Sequence, residues 1–308
     1  MTSDVKQEVR QFYDQVGWSL VGDDLYQNAR YEDLRPVSRE YIHRCHLRVC
    51  RHLAPQGRYL LDAGSGPIQY PEYLEYSRGY QYRVCADISI TALKDARKRI
   101  GEHGLFVVAD VANLPFKSNA FDGIVSLHTI HHLPEEEHLQ AYHGLLRLLT
   151  PGKRAVVVNG WPSSPLMERF EPLVRLSNRL RYWINRLRGK EASAKEARKT
   201  NKASRQLYAP QSSAPSTDQP KGTFTSRHDV AWMKSVFSTE YIGKTLQDRG
   251  KLEILVWRSA SVRFMRAVIF SWAGGRYWLR LLYRLEERNP HYYGENGQYP
   301  LIVIEKES

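Results

Sequence analysis

Residues 60–67 read Leu-Leu-Asp-Ala-Gly-Ser-Gly-Pro, an apolar run that ends in an acid and then a Gly-x-Gly turn. A strand feeding such a turn lets bare backbone approach a ligand at the carboxyl edge of an open sheet, where doubly wound folds bind their ligands. The nicotinamide dinucleotide fingerprint asks for three glycines as G-x-G-x-x-G, with the pyrophosphate on a helix N-terminus. Here Gly64 and Gly66 are followed by Pro67, Ile68 and Gln69, so the third glycine is missing. Asp62, two residues before Gly64, sharpens the distinction. A carboxylate in that place repels a pyrophosphate and suits a ligand that carries an amine.

Downstream, the elements follow in a fixed rhythm. Tyr82 to Ala86 is a short, largely apolar run ending at Asp87, an acid placed to accept hydrogen bonds from both hydroxyls of a ribose. Thr91 to Ile100 reads as a helix, with Ala92, Leu93, Ala96 and Ile100 on one side and Lys94, Arg97, Lys98 and Arg99 largely on the other. Leu105 to Ala109 is a third strand ending at Asp110, which can accept from an adenine amino group. Phe121 to Leu127 is a fourth, followed by His128-Thr129-Ile130-His131-His132-Leu133-Pro134. A helix over Glu135–Leu149 and a turn at Thr150-Pro151-Gly152 lead to the fifth strand, Arg154 to Asn159. Five strands with helical connections in about 100 residues predict a parallel sheet covered on both faces. Upstream, Ser38 to Leu53 reads as a helix whose Ile42, Cys45, Val49 and Leu53 cover the first strand.

Five stretches in this order carry a family resemblance: LLDAGSGP at 60–67, CADIS at 85–89, VVADVANLPF at 107–116, FDGIVSLHTIHHL at 121–133 and LLRLLTPGKRAVVV at 145–158. Over roughly residues 40–160 the chain resembles the class I S-adenosylmethionine-dependent methyltransferases, within them the ubiquinone/menaquinone C-methyltransferase-like (type 11) group. The resemblance implies an α/β fold, a Rossmann-like doubly wound seven-stranded sheet with an antiparallel last strand and helical insertions. It implies S-adenosylmethionine as cofactor. Asp62, Gly64 and Gly66 would line its methionine portion, Asp87 with Ile88 the ribose side, and Asp110 with Val111 the adenine. Leu127 and His128 would flank the sulfonium and the mouth of the acceptor site. Ile68 departs from the family, standing where a third glycine is common, and Lys153 replaces the second glycine of the usual Pro-Gly-Gly turn. Methyl transfer to a small or lipid-like acceptor at O, N or C is the implied activity, driven mainly by positioning and exclusion of water. His128 is the candidate catalytic residue, since an imidazole near the methyl could take a proton from an acceptor hydroxyl or amine. Asp87 and Asp110 would bind and not act as acids or bases.

No metal is expected. His128, His131 and His132 lie within five residues, but no carboxylate or cysteine set accompanies them at a known ligand spacing. Cys45, Cys50 and Cys85 give no paired framework, which suits a reducing compartment. The charged N-terminus has no apolar signal core, and there is no run of 18 apolar residues, so a cytoplasmic location, peripheral to a membrane at most, is expected.

The net charge of +12 is unevenly placed, with twelve Lys/Arg against three acids between Arg169 and Arg205. Ser193 to Gly222, rich in Ala, Ser, Gln, Pro and Thr, reads as a mobile insertion. The sixth and seventh strands, Leu252–Trp257 and Leu301–Ile304, are separated by about 45 residues instead of a short hairpin. That spacer holds a helical, aromatic segment interrupted at Gly274-Gly275. After the break Arg276, Arg280, Arg284 and Arg288 form a basic stripe, and Trp278, Leu281, Leu282 and Leu285 another face. Residues 262–288 fit a helix packed on the catalytic core, and they also fit a peripheral membrane contact. The organisation expected is an N-terminal helical cap over 1–55, in which Tyr13 and Trp18 could close over the pocket, and a cofactor-binding core over 56–160. A basic insertion and helix over 161–250 and the last two strands over 251–308 complete it. An RNA methyltransferase using the basic insertion, or a non-catalytic S-adenosylmethionine-binding protein, are the alternative functions.

Overall fold

The computed structural model describes Arg10, Trp18 and residues 32–187, 228–237 and 250–307. The helix expected over Glu8–Val16, apart from helical Arg10, lies outside the described residues, as do Tyr13 and the insertion Ser193–Gly222. Among the described residues seven strands form one sheet: β1 Gly57–Ala63, β2 Tyr80–Asp87, β3 Gly104–Val108, β4 Gly123–Leu127, β5 Arg154–Val158, β6 Gly250–Arg258 and β7 Tyr299–Lys306. Their order is β3-β2-β1-β4-β5-β7-β6. The first five run parallel, and β7 lies antiparallel between β5 and β6. This is the Rossmann-like architecture that the motifs imply. Its parallel strands carry near-continuous apolar runs, such as Gly-Ile-Val-Ser-Leu in β4 and Ala-Val-Val-Val in β5, because both faces are covered.

Each face has its own core. On one, Leu61, Ala63, Val84 and Ala86 pack beneath α3 (His138–Leu148) through Ala141 and Leu145, with Met233 of α6 (Val230–Val236) alongside. On the other, Leu60, Cys85, Val125 and Val156 meet Val49, the tyrosines Tyr73 and Tyr76, and Leu93 and Ala96 of α2 (Ile90–Ile100). Ser89 caps α2, its hydroxyl accepting from the Ala92 amide at 3.1 Å. The predicted helix over 38–53 is α1 (Arg39–Leu47) followed by a tighter 3-10 turn, Arg48–His52.

After β5 come α4 (Pro165–Arg169) and α5 (Glu171–Leu187), and the spacer between β6 and β7 holds α7 (Val262–Val268), α8 (Gly275–Arg288) and α9 (Pro290–Asn296). Gly274, at φ +70, breaks the helix between α7 and α8 as expected. The buried side of α8 is not the one drawn by Trp278, Leu281, Leu282 and Leu285. Leu279, Tyr283 and Glu286 face Val37, Tyr41 and Ile42 of the N-terminal segment and α1, while Trp278 and Leu285 are exposed. The cause is Glu286, a fully buried carboxylate that accepts from Tyr41 Oη (2.6 Å), Ser259 N (2.9 Å) and Ser259 Oγ (2.5 Å) and pairs with Arg48 at 3.0 Å. A charged residue thus defines the packed face. Among the described residues no helix is long and apolar enough to cross a membrane.

Candidate cofactor and active site

The sheet order reverses between β1 and β4, and the crevice at their carboxyl ends is where doubly wound sheets place ligands. Gly64 (φ +77) and Gly66 (φ +54) shape the turn that leaves β1. The Gly64 and Ser65 amides both donate to Ala86 O of β2, at 2.7 and 3.3 Å. A Cβ on Gly64 would overlap the Thr129 side chain, whose hydroxyl donates to Gly64 O at 3.2 Å. A Cβ on Gly66 would lie 3.0 Å from the Trp18 ring. The Trp18 ring therefore lies against this turn.

Asp87 ends β2 and holds the turn in place. Its Oδ2 accepts from the Gly66 amide and its Oδ1 from the Ser89 amide, both at 2.8 Å. One carboxylate thus ties the glycine turn to the start of α2. Each carboxylate oxygen has two lone pairs, so these backbone bonds are compatible with a ligand hydroxyl on the same group. Ile88, half-buried, follows it. Asp110 performs a smaller version of the same task. Its Oδ1 accepts from Ala112 N at 3.0 Å and caps the 3-10 turn Val111–Asn113, which buries Val111.

Asp62 has a partner that sequence reasoning missed. Its Oδ2 accepts from Arg83 Nη2 at 2.5 Å and Nε at 3.1 Å, and both side chains are buried. Arg83 Nη1 also donates to Tyr73 O at 2.5 Å. Burial alone would lower the guanidinium, but the neighbouring Asp62 carboxylate leaves its pKa raised, so Arg83 keeps its charge in the interior. Ile68 takes the left-handed backbone (φ +55) that a third glycine would adopt, with its side chain fully buried beside Tyr73 and Tyr76. Arg99 Nη1 donates to its carbonyl at 3.1 Å.

Across the crevice, Leu127 ends β4 and His128 turns the chain with φ +55, its amide donating to Val158 O at 2.7 Å. The His128 ring stands edge-on to Trp257 at 5.0 Å and to Tyr299 at 5.7 Å. Desolvation first, then the positive field of Arg258, pushes its pKa down to about 3. The imidazole is neutral. His131 and His132 face each other through Nε2 atoms 3.1 Å apart. Among the described residues no group of three or more His, Cys, Asp and Glu is arranged to hold a metal ion.

A second wall of the crevice escaped sequence reasoning. Trp257 and Arg258 end β6 at the same edge, because β7 is antiparallel to both β5 and β6 and so leaves β6 running in the direction of β1–β5. His46 of α1 stacks on Trp257 at 5.4 Å and lies 4.8 Å from Tyr70 and 5.2 Å from Tyr73. Arg258 is ion-paired with Glu32, and its Cζ sits 4.6 Å over the Tyr299 ring. Nε2 of His46, Nε1 of Trp257 and Nε of Arg258 are buried with no hydrogen-bond partner among the described residues. The signal that could have found this wall is the aromatic density of residues 70–76 together with the Trp-Arg pair closing β6.

Residues 61–157 match the family described as Methyltransferase domain. The chain is 34% identical over 150 residues to a ubiquinone/menaquinone biosynthesis C-methyltransferase UbiE of Ectopseudomonas mendocina, covering 46% of this chain and 58% of that one. It is 27% identical over 142 residues to the tRNA (carboxymethyluridine(34)-5-O)-methyltransferase alkbh8 of Xenopus tropicalis, covering 39% and 21%. A phosphoethanolamine N-methyltransferase 2 of Haemonchus contortus, solved with S-adenosyl-L-methionine, superposes with TM-score 0.49 at 16% identity, over 97% of this chain and 60% of that one. The chain spans less than two thirds of the length of the curated relatives it matches. The motif order, the sheet order and the match over residues 61–157 agree: the chain carries a Rossmann-like domain that is similar to the methyltransferase domain family.

Proposed function

We propose that this protein transfers a methyl group from S-adenosylmethionine to a small or lipid-like acceptor held between the β1–β4 crevice and the aromatic wall of β6 and β7. The observation that carries the reading is the Gly64–Gly66 turn pinned by Asp87 at the reversal of the sheet. The residues present fit this cofactor. Bare glycine backbone faces Trp18, and acids end β2 and β3 where a ribose and an adenine would lie. When bound, the sulfonium supplies an electrophilic methyl group.

In this reading Asp87 and Ile88 bind the ribose side, Asp110 and Val111 the adenine, and Asp62, Gly64 and Gly66 border the methionine portion. Because Asp62 already answers Arg83, it contributes shape and a fixed dipole more than a net charge. Leu127 and His128 flank the methyl. A neutral imidazole of pKa about 3 is a weak base, so His128 serves to accept a hydrogen bond and orient the acceptor. The His46, Trp257 and Arg258 nitrogens that lack partners among the described residues are polar groups set among packed aromatic rings, which suits an apolar ring or chain bearing oxygen. Rate enhancement then comes from orientation and exclusion of water.

Calorimetric titration with S-adenosylmethionine and S-adenosylhomocysteine, NADH serving as control, tests the cofactor. Micromolar binding of the first two, with turnover in a screen of quinones, phenols and lipids, is the expected result. Binding without turnover on any acceptor would point to a non-catalytic role. The net charge of +12 and the tRNA methyltransferase relatives favour RNA as the second acceptor class. Methyl transfer to RNA, falling steeply with salt, would decide for it.

A further inference from the structure

α5 has an apolar face that none of the described residues covers. Leu173, Leu176, Leu180, Trp183 and Ile184 recur every third or fourth residue, and each is 44–56% exposed. The opposite flank does the packing. Val174 is buried, Ser177 donates to Ala267 O of α7, Arg181 Nη2 donates to Arg266 O at 2.8 Å, and Glu171 accepts from Arg263 at 2.7 Å. α5 is therefore fixed to the body on one side while it presents five large apolar side chains outward. Singly exposed apolar residues need no explanation, but a contiguous row of them marks an interaction surface.

Charge says what that surface meets. Arg179, three and four residues from Leu176 and Trp183, and Arg186, three from Trp183, border the row, and the helix has one acid, Glu171, which is engaged by Arg175 and Arg263. Arg186 lies over the Trp183 ring at 5.7 Å, so the aromatic and the charge are presented together. Beyond one flank, Arg181 sits 5.3 Å over Phe270, which stacks on Trp272, itself 85% exposed. The row is the convex side of one helix and offers no groove to a peptide. Leucine and tryptophan bordered by arginine is the composition of a helix that lies in the plane of a bilayer interface. With four arginines in 17 residues it cannot span one.

We propose that α5 is a membrane-surface helix that seats the protein on anionic lipid, with Leu176, Leu180 and Trp183 entering the acyl boundary and Arg179 and Arg186 facing the headgroups. This surface lies on α5 and not within residues 262–288, of which Trp272 stands at its edge. This surface is a property of α5 and not of the cofactor crevice, so failure to bind S-adenosylmethionine leaves it intact.

Co-sedimentation of the full chain with phosphatidylcholine vesicles, with and without about a third phosphatidylglycerol, tests it. The anionic vesicles should bind at least about tenfold more protein, and added salt should release it. Leu180→Asp with Trp183→Ser should lower that binding at least about tenfold, and Arg179→Gln with Arg186→Gln should lower it on the order of 20-fold, at about fivefold per charge. The substituted side chains are exposed, and unchanged thermal melting verifies folding. Absence of binding to either vesicle, or binding that both variants retain, overturns the proposal. An α5-dependent dimer in sedimentation velocity without lipid also overturns it, by giving the face to a second copy of the chain.

Discussion

Replacing Asp87 by asparagine tests the site with the least change in shape. In the native chain its two oxygens accept from the Gly66 and Ser89 amides, each at 2.8 Å. An asparagine side chain presents one oxygen and one NH2, and an NH2 facing an N–H at that distance cannot bond to it. Whichever way the amide turns, either the glycine turn or the start of α2 loses its acceptor, and the remaining bond loses its charge. Hydrogen bonds to charged groups are worth about 1.5–3 kcal/mol. If the same carboxylate holds the ribose, the affinity for S-adenosylmethionine should fall by a similar amount, about 10–150-fold in Kd. Calorimetry with S-adenosylmethionine and S-adenosylhomocysteine measures this, alongside a thermal melt. A folded Asp87→Asn variant within about threefold of the native affinity, under roughly 0.7 kcal/mol, would remove Asp87 from the binding site and refute the reasoning.

Gly66→Ala places a methyl group 3.0 Å from the Trp18 ring on a backbone at φ +54, so cofactor affinity should drop at least about tenfold; calorimetry showing native affinity would mean that the turn does not border the ligand. Arg83→Met strands the buried Asp62 carboxylate and should cost about 3–5 kcal/mol in denaturant unfolding, most of it recovered by adding Asp62→Leu. A loss under about 1 kcal/mol would show that the pair is not a buried ionised one. Stability should also decline in mild acid. Burial holds His128 and His138 neutral at about 3 and about 4, against 6.5 when exposed. Their contribution is complete above pH 6.5 and fades as pH falls through 6.5 toward 4 and 3, because only the unfolded chain takes up the protons. Each should cost about 1 kcal/mol between roughly pH 7.5 and 5.5, and an unfolding midpoint flat over that interval would contradict it.

Much of the core was legible because parallel strands buried on both faces read as short apolar blocks, and the acids at or just past the ends of β1, β2 and β3 mark strand ends. Strand limits shifted by a few residues, as with β2, expected over Tyr82–Ala86 and found over Tyr80–Asp87. Apart from the aromatic wall of β6, the illegible parts involve buried charge. Arg83 looks like an ordinary polar residue in a strand, and nothing local says that Asp62, 21 positions earlier, will meet it. Glu286 sits in a run of charges, Glu-Glu-Arg, that reads as solvated, yet it is fully buried and turns α8 so that Trp278 faces outward. Arg48 and Arg258 are likewise buried, each against an acid distant in sequence. Periodicity finds apolar faces. It cannot find a polar side chain whose partner is supplied by another element.

The place of β7 also has a kinetic meaning. β5 ends at Val158, and the strand that pairs with it begins at Tyr299, last of the seven in chain order. At about 5–20 residues per second, the intervening segment takes roughly 7–30 s to synthesise. Throughout that time β5 offers a row of unpaired amides and carbonyls flanked by Val156, Val157 and Val158, a template for any extended chain nearby. The threading of the sheet, and not its final stability, sets how long each new copy is exposed to aggregation with its neighbours.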